Sequence, residues 1–529
     1  MRPERARRNA PHESRRAQAR CYTRSHASSA TCASRLRKLF DVVPPLARDQ
    51  PLSSHESTAR SDDAVAGAFA HWSCGLDWNA FGAELQRAAL DELLDFTGDM
   101  IAGRAAVGLP PWLEVLLDDA GRHTASVTGG QRASPWSAAM ANGYFGHVLE
   151  LDDTHDEAVL HAGAAAIPAA LAAAEYRGDV AGARLLEAIV GGIELTCRLG
   201  MATNLSLVQS GWIYTALLGH FGAALAASHV LGLDEQARRR ALGIVYCFAS
   251  GNHQSSREGA ATKHLQPGIA AANGLKAALM AQRGLSGVEA PFTGEDGFAR
   301  VYLRGRFEPD RALQALGEQY EAARLSIKPY PSCRLTHPAV SAALALREKL
   351  GPDLDRVQAI EVRMGSQAHD VVGRREAFRL TPERWLDAQF SVFWTVAVAL
   401  CHGAVRPIHL LDDVPPRPPV RAWIERIHAE PIAGSAARDV GACEIEASGP
   451  FGRVSVQAAE AKGHPDAPLT AQELEEKFCA NVALAGMSRA EARELAGTLL
   501  ALDRSPDLAP LMRALRRPQA RTPLKRHAD

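Results

Sequence analysis

Residues 213–233 read IYTALLGHFGAALAASHVLGL and contain no Lys, Arg, Asp or Glu. The stretch is rich in Ala and Gly and carries two histidines, His220 and His229, which do not suit the hydrocarbon core of a bilayer. We therefore predict a helix buried inside a protein core and not a membrane span. Such a helix needs other helices around it, so the fold is expected to be mainly α.

Helical patterns continue on both sides of this stretch. Apolar residues recur every three or four positions from Phe81 to Met100, which predicts an amphipathic helix. Short Gly-containing loops join several Ala- and Leu-rich segments. These patterns predict a helical domain over residues 61–324, with helices at about 136–151, 163–176, 183–200, 212–232, 235–250 and 268–283.

The pattern changes after residue 324, where two nearby prolines stop any helix. Residues 357–364 alternate like a half-buried strand, and residues 443–458 form two alternating runs around a Gly-Pro-Phe-Gly turn. A smaller α+β lid domain is therefore predicted at residues 325–467, with helices at 337–350 and 384–403. Thr470 and Glu473 form a capping-box pattern that opens a final helical segment, 468–515, expected to pack on the first domain.

Both chain ends lie outside this predicted fold. The first sixty residues contain thirteen Arg or Lys against five Asp or Glu and no apolar run, which predicts a disordered basic extension. Their Arg- and Ser-rich composition also resembles an organelle transit peptide, and a misassigned start codon is a further alternative. Residues 516–529 are expected to form a tail.

Composition narrows the possible partners. The 529 residues are 47% apolar and 22% charged, with a formal net charge of −1, so no global field favours nucleic acid or a membrane surface. Nine cysteines are scattered without C-x-x-C spacing, which argues against a disulfide framework, a zinc ribbon or an iron–sulfur cluster. We therefore expect a cytoplasmic protein, and any anion that it binds must meet a local cluster of cations.

Three polar segments are candidates for chemistry. Residues 150–157 hold the densest polar run, between a predicted helix and one expected to begin at Pro168; such a cluster is costly to bury unless it is used or mutually bonded. Lys263 precedes Pro267 and Gly268, which are predicted to start a helix whose free N–H groups favour anions. Lys328, Arg334 and His337 lie on a proline-stiffened loop. A solvated helix end and a plain interdomain linker are the structural alternatives.

Together these segments resemble a known family. The pattern G-H-x-L-x-x-D-D-T-H at residues 146–155, followed by H-x-G-A and a Pro-Ala-Ala-Leu helix, is similar to the signature region of the MmgE/PrpD family. That family includes 2-methylcitrate dehydratase, cis-aconitate decarboxylase and iminodisuccinate epimerase. The resemblance covers roughly residues 62–515 and continues, in order, through Lys263 with residues 268–271, the loop 328–331, residues 387–391, and residues 461–465 leading to 476–478.

The resemblance implies a helical domain built from both chain ends, a smaller α+β lid, an active site in the cleft, a homodimer, and no metal or organic cofactor. It also implies which side chains act. The candidate catalytic residues are Glu150, Asp153, Thr154, His155, His161, Lys263 and Tyr214. The candidate substrate-binding residues are Lys263, Lys328, Tyr330, His161 and Arg334.

Two departures from the family pattern affect the expected reaction. Glu150 stands where many relatives have Asp, and residues 211–215 read Gly-Trp-Ile-Tyr-Thr where many have Gly-aromatic-His-Pro-Thr. Ile213 therefore offers no imidazole. The leading expectation is still a lyase for a small polycarboxylate, which would dehydrate a 2-methylcitrate-like hydroxy acid by acid/base catalysis. Decarboxylation or epimerisation of a related acid in the same pocket is the alternative.

Two alternatives come from other classes. Residues 152–156 match D-D-x-x-D, which binds Mg²⁺-diphosphate in terpenoid enzymes because hard cations prefer carboxylate oxygens. Those enzymes need a second metal-binding motif, and the sequence contains neither another D-D-x-x-D nor an N-D-x-x-S-x-x-x-E run. A non-catalytic binding protein is the other alternative, motivated by Ile213.

Overall fold

The computed structural model describes residues 63–118, 123–434, 441–458 and 460–518. The predicted extension, residues 1–60, lies outside the described residues, as do residues 519–529 of the predicted tail. The described part is mainly helical, as predicted. Its helices before residue 320 are α1 (Ala64–Cys74), α2 (Ala83–Val107), α3 (Pro111–Leu117), α4 (Pro135–His147), α5 (Gly163–Arg177), α6 (Gly182–Met201), α7 (Leu207–Ser210), α8 (Tyr214–Leu231), α9 (Glu235–Tyr246), α10 (Gln254–Glu258), α11 (Thr262–Gln282), α12 (Phe298–Val301) and α13 (Pro309–Leu313).

The remainder of the described chain mixes helices and strands. Its helices are α14 (His337–Leu350), α15 (Ser366–Ala368), α16 (Ala377–Leu380), α17 (Trp385–Gln389), α18 (Val392–His402), α19 (Pro407–Asp412), α20 (Pro418–Ile424), α21 (Ala471–Ala483), α22 (Arg489–Leu500) and α23 (Ala509–Leu515). The strands, counted from the start of the chain, are β1 (Ala125–Val127), β2 (Gln131–Ala133), β3 (Ala359–Met364), β4 (Ile427–Pro431), β5 (Cys443–Gly449) and β6 (Gly452–Ala458).

Helix α8 is the centre of the helical core, as the opening stretch of the sequence predicted. Every one of its residues is buried, and α5, α6 and α11 pack directly against it. Small residues allow close contacts between these helices: a Cβ on Gly143 of α4 would lie 2.7 Å from the Cα of Gly268 in α11. Among the described residues, no helix combines the length and the apolar character that crossing a bilayer requires.

The second half of the chain contains a four-stranded sheet in the order β4-β3-β5-β6. Strand β3 pairs parallel with β4 and antiparallel with β5, and β5 forms a hairpin with β6. Helix α14 packs against β5 and β6. Burial alternates along β3 and β5, so the period-two pattern seen in the sequence marks the side of the sheet that faces the core.

The C-terminal helices return to the start of the fold. Thr470 and Glu473 form the predicted capping box of α21, which packs on α2. Lys477 of α21 donates to Asp95 of α2 at 2.8 Å and to the carbonyl of Leu151 at 2.9 Å. The described residues from Asp63 onward belong to one compact unit, and the division at residues 325 and 468 stays a prediction.

Two helix starts that were predicted at prolines were wrong. One was placed at Pro267, but α11 begins at Thr262 and contains Pro267. The other was placed at Pro168, but α5 begins at Gly163 and contains that proline, in agreement with the helix predicted at residues 163–176. Proline is favoured in the first turn because its missing N–H has no partner there, which suggested a start at each proline. In both helices a preceding turn forms anyway, so Lys263 lies in the first turn of α11 and not in front of it.

Candidate active site

A cavity lies beside the polar segment predicted at residues 150–157. The polar residues of its lining are Glu150, Thr154, Asp156, His161, Thr215, His253, Ser256, Lys263, Cys333, Arg334 and Gln367. Its apolar residues are Val159, Leu160, Ile213, Leu335, Val371 and Phe390.

Backbone pairing shapes the segment that carries most of these groups. Thr154 exchanges two backbone hydrogen bonds with Ser326, at 2.9 and 2.7 Å, and this bridge brings the loop after Ser326 beside the segment. The N–H of His155 donates to the carbonyl of Leu160 at 2.9 Å, closing a tight turn. His161 therefore returns to lie beside Thr154, whose hydroxyl is 3.2 Å from its Nδ1.

Glu150 is the centre of the charged cluster. It adopts a left-handed backbone conformation with φ of 54°, which is uncommon for a long side chain and persists only where the surroundings hold it. Its carboxylate contacts the ammonium group of Lys263, which also lies 2.7 Å from Nε2 of His147. The cluster thus joins the end of α4, the first turn of α11 and the polar segment.

Lys328 lies behind Glu150. Its side chain is fully buried, with Nζ at 3.5 Å from Oε2 of Glu150 and 3.4 Å from Oδ1 of Asp152. Burial lowers the pKa of Lys328, while the nearby Asp152 carboxylate opposes that shift. Lys328 is absent from the cavity lining, so its charge reaches a ligand through Glu150 and not by direct contact in this state.

Burial controls the protonation of the other cluster members. It lowers the pKa of His147 to about 3, although Asp152 acts in the opposite direction. Burial alone would raise the pKa of Asp152, but His147, His161 and Lys328 together hold it below its usual value. Burial and the second ammonium of Lys328 lower the pKa of Lys263 well below its usual value, and the Glu150 carboxylate that it contacts opposes this shift.

The sequence matches the MmgE/PrpD N-terminal domain over residues 67–310 and the MmgE/PrpD C-terminal domain over residues 330–502. The chain belongs to the MmgE/PrpD family. Among curated proteins it is similar to a cis-aconitate decarboxylase of Aspergillus terreus (strain NIH 2624 / FGSC A1156), with 26% identity over 88% of this chain and 98% of that protein. A cis-aconitate decarboxylase-like protein of Aspergillus oryzae is 29% identical over 66% of this chain and 76% of its own length. The human cis-aconitate decarboxylase is 27% identical over 66% and 73%.

The structure of this MmgE/PrpD protein brings several predicted site residues to one cavity. Glu150, Thr154, His161, Lys263 and Arg334 all line it. The backbone N–H of His161 donates to Oγ1 of Thr215 at 3.0 Å, and its ring Nδ1 contacts the carbonyl of Asp153 at 2.5 Å. Because a carbonyl can only accept, Nδ1 carries the proton and Nε2 is the ring nitrogen left for chemistry.

Other predicted residues lie around the cavity and not in its lining. Asp153 accepts from the amides of Ala162 and Gly163 at the start of α5, at 2.8 and 3.0 Å. Burial, followed by the charge of Asp152, raises the pKa of Asp153 to about 7. His155 contacts the carboxylate of Glu321 at 3.0 Å. Asp153 and His155 therefore hold the polar segment in place through contacts outside the cavity lining.

Two predicted tyrosines point elsewhere. The hydroxyl of Tyr214 donates to the carbonyl of Leu205 at 2.7 Å, and the hydroxyl of Tyr330 lies 3.5 Å from Oγ of Ser341. Neither side chain lines the cavity. The geometry therefore gives no support to Tyr214 as a proton carrier or to Tyr330 as a substrate ligand, and we leave both out of the proposed chemistry.

Sequence reasoning missed three histidines of this site. His147 appeared only as a letter of the G-H motif, although it is the last residue of α4 and lies three residues before Glu150. His264 follows Lys263 directly, and its Nε2 lies 3.6 Å from the Glu150 carboxylate. His253 lines the cavity from a separate loop, and no local pattern in the sequence indicates this.

The three carboxylates of D-D-x-x-D do not share a face. Asp152 contacts His147 and Lys328, Asp153 accepts the amides that open α5, and Asp156 pairs with Arg334 at 2.7 Å. A diphosphate-bound Mg²⁺ needs these oxygens around one space. The terpenoid alternative therefore has no geometric basis in the described residues.

One group of side chains has metal-ligand spacing. Ligand atoms of His147, Asp152 and His161 all lie within 4.8 Å of one another. However, Asp152 Oδ2 already lies 2.6 Å from Nδ1 of His147, and the ammonium groups of Lys263 and Lys328 adjoin the same group of atoms. These ammonium groups offset the charges of Asp152 and the adjoining Glu150, so the three side chains offer a metal ion no excess of negative charge.

Proposed function

We propose that this chain is an MmgE/PrpD lyase that decarboxylates a small unsaturated tricarboxylate of the cis-aconitate type. One observation carries the proposal: Lys263, Glu150 and His161 line one cavity, together with apolar side chains such as Ile213, Val371 and Phe390. The relatives named cis-aconitate decarboxylase support it, since one of them is matched over 98% of its length.

The chemistry of decarboxylation fits such a cavity. The C–C bond to the departing carboxylate breaks, CO₂ leaves, and the electron pair passes into the conjugated system of the remaining dicarboxylate. Apolar side chains in the lining favour loss of the carboxylate charge. Fixed cations stabilise the negative charge that grows on the remaining acid. A proton must finally be added at carbon.

Each residue then has a role that follows from its contacts. Lys263 meets a carboxylate of the substrate, and Glu150 holds the ammonium group in place through their direct contact. His161 presents Nε2 to the cavity because its Nδ1 is held by the Asp153 carbonyl. Lys328 is a positioning residue, which acts on substrate through Glu150 and Asp152.

Dehydration of a 2-methylcitrate-like hydroxy acid is the second candidate. The Glu150 carboxylate and the His161 imidazole line the same cavity and could act as the base and the acid that elimination of water needs. Decarboxylation ranks first because the reported relatives carry that name. Epimerisation in the same pocket stays a third possibility for the assay. A homodimer and a cytoplasmic location also stay predictions.

The test is turnover of a panel of acids by the full chain. Cis-aconitate, 2-methylcitrate and citrate are incubated with wild type and with Lys263→Met, and proton NMR and CO₂ release are followed. We expect CO₂ from cis-aconitate and a fall of about 10²–10³-fold in kcat for Lys263→Met, the usual effect of deleting one electrostatic stabiliser. Loss of water without CO₂ from a hydroxy acid would establish the second candidate instead.

Two further arms of the assay address the other classes. Dialysis against EDTA is expected to leave the rate unchanged, because the two ammonium groups offset the carboxylate charges of the cluster. A rate lost and restored by a divalent ion would assign the group of His147, Asp152 and His161 to a metal. No turnover of any acid, combined with a rise in melting temperature on binding one, would indicate a non-catalytic binding protein.

A further inference from the structure

His253 occupies a distinctive place in the cavity. It immediately precedes α10, and its backbone N–H donates to the carbonyl of Gly211 at 2.9 Å. This bond ties His253 to the 211–215 segment, whose Ile213 and Thr215 line the same cavity. The cavity thus contains an imidazole next to the segment in which Ile213 offers none.

The ring of His253 has an uncommitted nitrogen. Only 9% of the residue is exposed, and among the described residues no group makes a hydrogen bond with Nδ1. Buried polar atoms nearly always have partners, so an exception inside a cavity calls for an explanation. By contrast, His161 has its Nδ1 bonded to Asp153 and Thr154 and its Nε2 4.0 Å from Glu150.

His253 also has access to a second space. It lines a neighbouring cavity, which shares Ser256, Val371 and Phe390 with the first and is also lined by Arg257. Arg257 is exposed. A group on the boundary between the two cavities can exchange protons with solvent on one side while it faces a bound acid on the other.

We propose that His253 is a catalytic residue that delivers the proton to carbon in the proposed decarboxylation; this inference rests on the proposed function. The C–C bond to the departing carboxylate breaks and CO₂ leaves. The electron pair that stays on the dicarboxylate then takes a proton from the imidazolium ring of His253, and a new C–H bond forms. The neutral imidazole then takes up one proton from the solvent, so each turnover consumes one H⁺. A substrate with three negative charges, together with one proton, thus gives CO₂ and a product with two negative charges.

The charge state of His253 depends on whether an acid is bound. In the free cavity, burial and then Arg257 lower the pKa of His253 to about 4. The carboxylates of a bound acid act in the opposite direction, since a nearby negative charge favours the imidazolium form. Lys263 is a weaker candidate for this step, because its ammonium already contacts Glu150 and His147.

The test compares His253→Gln and His253→Ala with wild type in the cis-aconitate assay. His71→Gln is the control, because the His71 side chain is 81% exposed and absent from the cavity lining. We expect kcat to fall about 10²–10⁴-fold in both His253 variants, the usual contribution of a positioned proton carrier. KM is expected to change less than threefold, and added imidazole is expected to restore part of the rate of His253→Ala in proportion to its concentration.

Imidazole rescue distinguishes a proton carrier from a structural histidine, because a small molecule in the vacated space supplies a proton but does not restore packing. Should both variants lose their cooperative melting transition, His253→Asn is measured in their place. An active wild type with an unaffected kcat in the His253 variants, or with a loss that imidazole does not restore, would overturn this inference alone. A wild type inactive on the whole panel would overturn the proposed function and this inference together.

Discussion

Replacing Lys328 by Met tests whether the active-site carboxylates depend on a buried cation. The substitution keeps the length of the side chain and deletes its charge. Two carboxylate oxygens, on Asp152 and Glu150, lie 3.4 and 3.5 Å from Nζ, and at an effective dielectric constant of about 20 each contact amounts to about 5 kcal/mol before desolvation. Removing one partner of such a buried group costs about 3–5 kcal/mol net.

The assay is denaturant unfolding of the full chain, followed by circular dichroism, with kinetics on the same samples. Lys349→Met is the matched control, because Lys349 is exposed and its ammonium group donates to the Ser455 carbonyl at 3.1 Å. It should change stability by less than about 0.5 kcal/mol. We expect Lys328→Met to lose both stability and kcat, since Glu150 moves when its second cation is gone. A Lys328→Met protein within 1 kcal/mol of wild type would refute the reasoning, because the carboxylates would then be balanced without Lys328.

Three further predictions concern stability. Lys477→Met should cost about 3–5 kcal/mol at neutral pH, and less towards pH 5. Burial already raises the pKa values of Asp95 and Asp99, so the folded variant takes up protons more readily than the unfolded chain as the pH falls. Urea melts at pH 5 and pH 8 measure this. An equal loss of unfolding free energy at both pH values would contradict the prediction. Gly103→Ala should destabilise the fold, since its Cβ would lie 1.9 Å from the Phe145 carbonyl oxygen. In Gly497→Ala the new Cβ meets nothing within 4 Å at an exposed position of α22, so this variant should gain about 0.5–1 kcal/mol of stability. Thermal melts compare the two variants. A chain starting at Ser61 should keep the melting temperature and activity of the full chain, and a loss of several degrees would show that residues 1–60 support the fold.

The sequence predicted the core helices well because their signals are local and long. Helices of 15 to 20 residues such as α5, α6 and α8 display their composition over several turns. The strands β1 and β2 were missed because three residues each cannot show an alternating pattern. Strand β4 was missed as well, since its last four residues are not fully buried and lack the expected alternation.

The candidate site was predictable only where it is contiguous. Glu150, Thr154 and His161 lie within twelve residues, and their density alone singled them out. His253 reaches the same cavity through a backbone hydrogen bond to Gly211, and a bond of this kind leaves no trace in residue types. The position of Lys328 behind the cavity lining was equally hidden. A lysine on a stiff loop can face a ligand or a carboxylate, and it is the pairing of Thr154 with Ser326 that turns Lys328 towards the carboxylates.

The bond from Lys477 to the carbonyl of Leu151 has a consequence for biosynthesis. The two residues are 326 positions apart, so at about 5–20 residues per second the ribosome needs roughly 16–65 s to add the lysine after the site segment has been made. Through that interval the nascent segment, with the aspartates of residues 152–156, lacks the Lys477 ammonium group that later binds the Leu151 carbonyl. The candidate site is therefore among the last parts of the polypeptide to mature. A transcript truncated before codon 477 would yield a long product that contains every residue lining the cavity but lacks the hydrogen bond from Lys477 to Leu151.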